Sequence, residues 1–165
     1  MKFLADGMLG KMTRWLRMLG QDVQYSVQLG DSELLALAKK ENRVLLTKDL
    51  ELYQRAIAKG IDALYLEGKT ESERLAELAK RYSLPLAIDM EKSRCPVCNT
   101  KLKEMPKELL SGEVEKNTFI YYDKFWKCPN CGQVYWQGAH WEKISNILNE
   151  AQAKLEKLKE NERLR

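Results

Sequence analysis

The chain has 165 residues, of which 44% are hydrophobic and 32% are charged, and its net charge is +4. This length and apolar content provide for one ordinary domain with a real core and a small appendage. No apolar run approaches the ~18 to 20 residues that a membrane span needs, which excludes a membrane-spanning protein, while the mildly basic charge only weakly favours a nucleic-acid partner.

The first part of the chain, about residues 1–92, alternates strand-like and helix-like segments. Compact apolar runs predict strands at 3–5, 23–25, 44–46 and 61–66. Helical spacing of apolar residues predicts helices over 9–19, from Asp31 onward, from Asp49 to about 59, and over 71–81. This β-α-β-α rhythm with short connections predicts an α/β fold, in which helices cover a central parallel sheet.

The remainder of the chain divides into two further parts. Residues 93–141 contain all four cysteines, most of the tryptophans and the single histidine, and we interpret them as a small β-rich module. Residues 142–165 carry an apolar stripe at helical spacing, which predicts one long C-terminal helix. That helix has two possible partners, the N-terminal domain of its own chain or a second subunit, so a homodimer is one of the alternatives.

The cysteines form two Cys-x-x-Cys pairs, Cys95 with Cys98 and Cys128 with Cys131. A gap of two residues lets both sulfurs of a pair face one ion, and two pairs complete a tetrahedral zinc site. The rival interpretation, a thioredoxin-like redox pair, needs only one such motif inside a βαβ unit. Four cysteines fill the coordination shell, so we expect a structural Zn²⁺ that folds a zinc ribbon, with His140 outside the shell. Paired rather than dispersed cysteines also predict a reducing, cytoplasmic location.

Three aspartates, Asp6, Asp31 and Asp49, stand at the ends of predicted strands or at the starts of the helices that follow. Ligand sites in open α/β sheets lie at the carboxyl ends of the strands, and converging carboxylates there favour Mg²⁺ or Mn²⁺. A metal held this way can activate water for phosphodiester chemistry. The alternative is that Asp31 and Asp49 only cap their helices.

The first predicted helix has an apolar face and a basic face. Lys11, Arg14 and Arg17 fall on the basic one at about 100° per residue. A basic stripe beside an acidic pocket suits a phosphate backbone, although a plain solvated face would have the same pattern.

The sequence resembles the Mut-seven C-terminal RNase family over about residues 1–148. The resemblance is carried by Phe3–Lys11 (FLADGMLGK), Arg14–Gly20 (RWLRMLG), Arg43–Asp49 (RVLLTKD), Arg94–Cys98 (RCPVC), Phe125–Pro129 (FWKCP), Gly132–Trp136 (GQVYW) and Gly138–Trp141 (GAHW). It implies a PIN-like nuclease domain, an α/β/α sandwich, followed by a zinc ribbon. It also implies a divalent-metal site that cleaves single-stranded RNA.

The wider PIN group tends to show an acid before an apolar-faced helix, then a strand, then Thr-x-Asp. By this similarity Asp31 and Asp49 correspond to two of its acids, and Asp6 corresponds to the acid of the first strand. PIN nucleases often carry a further Glu ahead of this block, whereas the stretch from Gly7 to Gly30 contains only Asp22 as an acid.

These observations lead to one functional hypothesis and two rivals. The hypothesis is a divalent-metal-dependent endoribonuclease acting on single-stranded or ribosomal RNA. In it, Asp6, Asp31 and Asp49 are catalytic, and RNA is bound by the basic residues Lys11, Arg14, Arg17, Lys48 and Lys127. One rival is a non-catalytic RNA- or ribosome-binding adaptor with the same fold, and the other is a protein-interaction module that docks through the terminal helix.

Overall fold

The computed structural model describes residues 1–165 and is built around a four-stranded parallel sheet. The strands are β1 Lys2–Ala5, β2 Asp22–Tyr25, β3 Val44–Thr47 and β4 Ala63–Tyr65. Each strand is followed by a helix: α1 Gly10–Met18, α2 Asp31–Glu41, α3 Leu50–Ala58 and α4 Glu71–Tyr82. The predicted α/β class with a central parallel sheet is therefore confirmed.

Helices cover both faces of this sheet, because successive strand residues point to opposite sides. Phe3 of β1 packs with α1 and α4 in the larger apolar cluster, whereas the adjacent Leu4 packs with α2 and α3 in the smaller one. All four residues of β3 are buried, as expected for a central strand covered on both faces.

The strand order is β2-β1-β3-β4, so the chain reverses its direction of travel across the sheet after β2. β1 pairs with β2 on one side and with β3 on the other, and both pairings are parallel. The carboxyl ends of β1 and β3 consequently flank the switch point of the sheet. This is the position where open α/β sheets bind ligands.

Two of the aspartates that precede helices behave differently. Asp49 is the N-cap of α3, and its side chain accepts hydrogen bonds from the backbone N–H groups of Glu51 and Leu52. The N-cap of α2 is Gly30, whose backbone is extended, and Asp31 is the first residue of the helix proper. The prediction that Asp49 caps its helix is confirmed. The prediction that Asp31 does the same is wrong, because Gly30 is the N-cap and the Asp31 side chain faces Arg55.

The cysteine-containing part forms a second, antiparallel sheet of three short strands, β5 Lys103–Met105, β6 Phe125–Lys127 and β7 Val134–Tyr135. The sequence predicted only that this part of the chain is β-rich. The structure joins β5 to β6 through a 3-10 turn at Lys107–Leu110 and a short helix, α5 Lys116–Tyr121. Leu110 is fully buried with Phe125 and Val134, and this contact fixes the insertion on the small sheet.

The last helix, α6 Trp141–Arg163, packs lengthwise against α4 of the same chain. Leu148, Ala151 and Leu155 are buried in the same apolar cluster as α1 and α4. Lys154 adds a polar contact, since its Nζ lies 2.8 Å from Ser72 Oγ. The apolar stripe of the terminal helix is therefore covered within the monomer. No helix of the protein combines the length and the apolar character required to cross a membrane.

Candidate functional site

Asp6 lies directly after β1 at the switch point and is only 6% exposed. One carboxylate oxygen, Oδ1, accepts the backbone N–H of Met8 at 2.9 Å, and the other, Oδ2, accepts the hydroxyl of Thr47 in a short hydrogen bond. No lysine or arginine forms a salt bridge with Asp6. A buried carboxylate without a basic partner is costly unless a cation neutralises it.

Thr47 connects Asp6 to the second acid of the site. Its fully buried hydroxyl donates to Asp6 and accepts the backbone N–H of Asp49 at 3.0 Å. Asp49 uses Oδ1 to cap α3, at 3.0 Å from Glu51 N and 3.3 Å from Leu52 N. Sequence reasoning did not include Thr47 among the site residues, although the Thr-x-Asp order contained the signal.

Asp31, the third predicted acid, is not joined to this pair by any hydrogen bond. Its side chain is 46% exposed, and its Oδ2 lies 3.6 Å from Nη1 of Arg55, a residue of α3. Asp6, Asp31 and Asp49 do not bring one carboxylate oxygen each within 4.8 Å of one another, so the structure does not join the three predicted acids in one cluster. Mg²⁺ usually takes one or two carboxylates and completes its octahedron with water, so the two acids that Thr47 connects, Asp6 and Asp49, are the candidate ligands for such an ion.

The four cysteines do form such a group, with all ligand atoms within 4.8 Å. The sulfurs of Cys95 and Cys131 are 3.6 Å apart, those of Cys98 and Cys128 are 3.4 Å apart, and all four cysteines are free of disulfides. Tetrahedral zinc with Zn–S bonds of about 2.3 Å separates its sulfurs by about 3.8 Å. The cluster can therefore hold a metal such as zinc.

The electrostatics of the thiols also suit a bound dication. Hydrogen bonding between Cys98 and Thr100, through the side chain and the backbone, lowers the pKa of Cys98 to about 6. At Cys131 a backbone hydrogen bond from Gln133 lowers the pKa, but burial and the neighbouring thiols raise it by more. The pKa of Cys131 is therefore raised to about 12. Four adjacent sulfurs cannot all ionise without a cation, and Zn²⁺ requires the thiolate form.

Arg17 connects the first cysteine pair to α1, and this corrects its predicted role. The sequence placed Arg17 on a basic face for RNA, but the residue is only 6% exposed. Its Nη2 and Nε donate to Val23 O at 2.8 and 3.1 Å, and Nη1 donates to Pro96 O at 2.9 Å. The guanidinium of Arg17 is fully engaged by these carbonyls, so Arg17 holds the cysteine-containing part of the chain against the sheet.

A second polar contact fixes the same interface at the start of β2. Asn99 donates from Nδ2 to Asp22 Oδ1 at 2.8 Å and accepts the backbone N–H of Val23 at 3.0 Å. Arg43 also reaches Asp22 Oδ1, at 2.9 Å from Nη1. Sequence reasoning noted Asp22 only as the sole acid of its stretch, and nothing in the local pattern pointed to these partners.

The remaining predicted RNA-binding residues differ in availability. The side chain of Lys11 is 84% exposed, and its Nζ lies 3.7 Å from Glu71 Oε1. Arg14 and Lys48 are exposed and have no ion-pair partner. Lys127 is held by Glu113 through a 2.7 Å ion pair. Lys11, Arg14 and Lys48 can therefore contact a ligand with little or no loss of interactions within the protein.

Two adjoining cavities of about 500 and 430 Å³ run between α1 and the first cysteine pair. Both are lined by Lys11, Arg14, Pro96 and Val97, so together they form one groove, named here the α1–knuckle groove. Val97 is 64% exposed at its rim, and Tyr135 also lines the larger of the two cavities. The groove thus presents two cations beside apolar surface, which suits a nucleic acid with unstacked bases.

Comparisons with known proteins agree with the family that the sequence motifs indicate. Residues 1–148 match the Mut7-C RNAse domain. Searches among curated proteins and among solved structures gave no match. The matched region contains the whole parallel sheet, the three aspartates and all four cysteines. The chain belongs to the Mut7-C RNAse domain family.

Proposed function

We propose that this protein is a divalent-metal-dependent endoribonuclease whose active site lies at the carboxyl ends of β1 and β3. The family supports ribonuclease activity in general. The observation that carries the proposal is the carboxylate of Asp6, which is buried at the switch point and has no basic side chain to neutralise it. Desolvation makes an isolated buried carboxylate unfavourable, and a divalent cation is the partner that such sheet edges recruit.

Each residue of the site has a separate task in this proposal. Asp6 and Asp49 bind the cation, and Thr47 fixes the orientation of Asp6 by donating its hydroxyl to it. Asp31 lies outside the direct donor set and is oriented by Arg55. A bound Mg²⁺ or Mn²⁺ would supply activation of water and neutralisation of the phosphodiester charge.

The RNA strand binds along the α1–knuckle groove. Lys11 and Arg14 line it and contact phosphates, and Lys48 provides a third cation between Thr47 and Asp49. Because α1 begins in the loop that follows Asp6, the groove leads away from the acidic site along the first helix. Single-stranded RNA is the substrate class that uses both its charge and its apolar walls, and ribosomal RNA offers such segments.

One specific observation favours the alternative of a non-catalytic RNA-binding adaptor. Both oxygens of Asp6 already accept protein hydrogen bonds, and Asp31 is paired with Arg55 rather than joined to the other acids. An adaptor of this kind would bind RNA through the same groove without requiring a divalent ion.

The test measures cleavage of single-stranded RNA and of ribosomal RNA by the purified protein, with and without Mn²⁺. We expect cleavage only with the metal, and we expect Asp6→Asn and Asp49→Asn each to reduce the rate by at least about a hundredfold, because each removes a metal ligand. Asp62→Asn serves as the matched control, since Asp62 directly precedes β4 and so lies at the amino-terminal end of a strand, whereas the proposed site lies at the carboxyl ends.

The outcomes separate the two candidates. Equal cleavage by the wild type and the Asp6→Asn, Asp49→Asn double variant contradicts the site. RNA that is bound but left intact at every metal concentration identifies the adaptor.

A further inference from the structure

An ion pair joins α2 and α3, the two helices on the face of the sheet opposite α1. Nη1 of Arg55, in α3, lies 3.6 Å from Oδ2 of Asp31, the first residue of α2, and Nη2 donates to Ser32 Oγ at 3.2 Å. These contacts place the guanidinium beside the N-terminus of α2. Since α2 follows β2 and the strands are parallel, the guanidinium lies at the carboxyl edge of the sheet, where Asp6 and Asp49 also lie.

The protein holds this guanidinium weakly. A separation of 3.6 Å exceeds the range of an N–H···O hydrogen bond, and the side chains of Arg55 and Asp31 are 38% and 46% exposed. Exposed ion pairs of this kind contribute little to stability. A guanidinium carries several N–H donors, and the Ser32 hydroxyl accepts the only side-chain hydrogen bond that Arg55 makes. Arg55 therefore has both the exposure and the free donors to bind a phosphate.

The proposed active site lies between Arg55 and the α1–knuckle groove. The groove follows α1 on one face of the sheet, Arg55 lies with α2 and α3 on the other face, and the acids stand at the edge between them. An endonuclease cuts inside a strand, so its substrate extends beyond the cleaved bond in both directions. In the proposed function Lys11 and Arg14 contact the strand on one side of the cut, and Arg55 is the cation positioned for the other side.

The edge itself presents apolar surface for such a crossing. Met8, Val27 and Leu50 follow β1, β2 and β3, and all three are exposed. The segments after β1 and β2 are held together, since the Tyr25 hydroxyl donates to Gly7 O at 2.9 Å. Single-stranded RNA offers unstacked bases for apolar contact as well as phosphates for cations. Such a strand has contacts for its bases at the edge and for its phosphates on both faces.

We propose that Arg55 binds a backbone phosphate of the RNA on the side of the cleavage site opposite the α1–knuckle groove. When the strand binds, the guanidinium exchanges Asp31 for the phosphate, which it can contact through two parallel hydrogen bonds. The proposal rests on the proposed function, because it assumes that RNA crosses this edge of the sheet. It makes Arg55 an RNA-binding residue and extends the path of the strand from one face of the sheet to the other.

The test measures the affinity for single-stranded RNA as a function of salt concentration, without added Mg²⁺ or Mn²⁺. The probe is a fluorescein-labelled oligouridylate, longer than the roughly 4–16 nucleotides that one single-strand-binding fold covers. Each phosphate contact on a single strand adds about 0.7 to the slope of log K against log salt concentration. We expect Arg55→Gln to reduce that slope by about 0.7 and to weaken binding about tenfold at low salt, whereas Arg55→Lys keeps the charge and the slope.

Two further variants separate the phosphate contact from the ion pair. Asp31→Asn breaks the same pair but leaves the cation in place, so it should bind RNA at least as tightly as the wild type. Arg81→Gln is the matched control and should leave the slope unchanged. Arg81 is also exposed and pairs with a carboxylate at 3.9 Å, but its partner Asp62 directly precedes β4 and lies at the amino-terminal edge of the sheet. Thermal unfolding of every variant detects a loss of fold.

The outcomes distinguish this proposal from the nuclease itself. A slope that Arg55→Gln leaves unchanged, or that Arg81→Gln lowers equally, overturns the phosphate contact. Equal weakening of binding by Asp31→Asn and Arg55→Gln also overturns it, because the ion pair alone then explains the effect. All three leave the nuclease proposal intact, since cleavage by Asp6→Asn tests that proposal separately. Failure of the wild type to bind any RNA overturns both.

Discussion

Asp6 and Asp22 are both acids beside the central sheet, yet their surroundings differ in kind. Asp22 faces Arg43, whose side chain is only 5% exposed, and it accepts a further hydrogen bond from Asn99. Asp6 meets a backbone N–H and a hydroxyl but no positive charge. The first arrangement stabilises the fold by itself, and the second is completed by a bound cation in the function that we propose.

The environment of Asp22 predicts a pH dependence of stability. Burial raises the pKa of Asp22, but hydrogen bonds from Asn99 and Arg43 and the charge of Arg43 hold it below its usual value. Since the unfolded chain then binds the proton more readily, the stabilisation is complete above the unfolded pKa of about 3.9 and is lost as the pH falls through the lower folded pKa. We expect Asp22→Asn to reduce the free energy of unfolding by about 2–3 kcal/mol at pH 7.

Urea unfolding of the wild type and of Asp22→Asn between pH 7 and pH 3 measures this difference. The gap between the two proteins should narrow below about pH 4. Asp123→Asn is the control, because the side chain of Asp123 is 93% exposed and its loss should change stability by less than about 0.5 kcal/mol. A gap that stays constant down to pH 3 would contradict the assigned role of the Asp22 charge.

Arg14 and Arg17 show what a helical pattern can and cannot predict about the environment of a single residue. Both fall on the polar side of α1 by spacing, and sequence reasoning assigned both to RNA. Arg14 is exposed, whereas Arg17 is buried beneath the first cysteine pair and bonds to Pro96. Helical periodicity gives the direction of a side chain from the axis, but not which distant segment will cover it.

At the scale of elements, α6 contributes to the main core rather than standing apart. Ala151 and Leu155 lie beyond the family match, which ends at residue 148, yet both are buried against the core. The apolar stripe was predictable from its spacing. Its partner was not, because the same stripe would serve a dimer equally well.

The packing of α6 predicts the cost of shortening one side chain. Leu155→Ala should reduce the free energy of unfolding by about 3 kcal/mol, since it removes a buried leucine from the large apolar cluster. Lys159→Ala, on the exposed side of the same helix, should change it by less than about 0.5 kcal/mol. Urea denaturation followed by circular dichroism compares them, and equal stabilities would show that α6 does not stabilise the core.

At the scale of the whole molecule, the cysteine module, residues 93–141, is docked on the sheet mainly by polar contacts. Arg17 reaches Pro96 O at 2.9 Å, Ser93 Oγ donates to Met18 O at 2.6 Å, and Asn99 bonds to both Asp22 and the backbone of Val23. The module itself has only two small buried clusters. Cores of this size usually fold only with a bound metal or another covalent staple, so we expect the docking to depend on a metal bound by the four cysteines.

Removal of the metal should therefore destabilise more than the module. We expect one zinc per chain by elemental analysis, and we expect chelation to lower the melting temperature by roughly 10 °C or more, the shift for losing about 3–5 kcal/mol in a chain of this length. Differential scanning calorimetry measures it. Zn²⁺ should restore the transition and Mg²⁺ should not, and a melting curve that chelation leaves unchanged would contradict a structural role for the metal.

Local patterns in the sequence determined the elements of this protein and its clearest chemistry. The alternation of apolar runs predicted the parallel sheet, the paired cysteines predicted a cluster that can bind metal, and the family motifs predicted the ribonuclease family. Each of these predictions rests on short motifs, and within each motif the spacing of a few neighbouring residues fixes the local geometry.

Only the tertiary structure decided which distant groups meet. It joined Asp6 to Asp49 through Thr47, turned Asp31 toward Arg55 and buried Arg17. These outcomes depend on how helices and strands pack against one another, which no local spacing encodes. The physical reason is that burial and long-range hydrogen bonds, rather than the periodicity of one element, set the environment of a side chain.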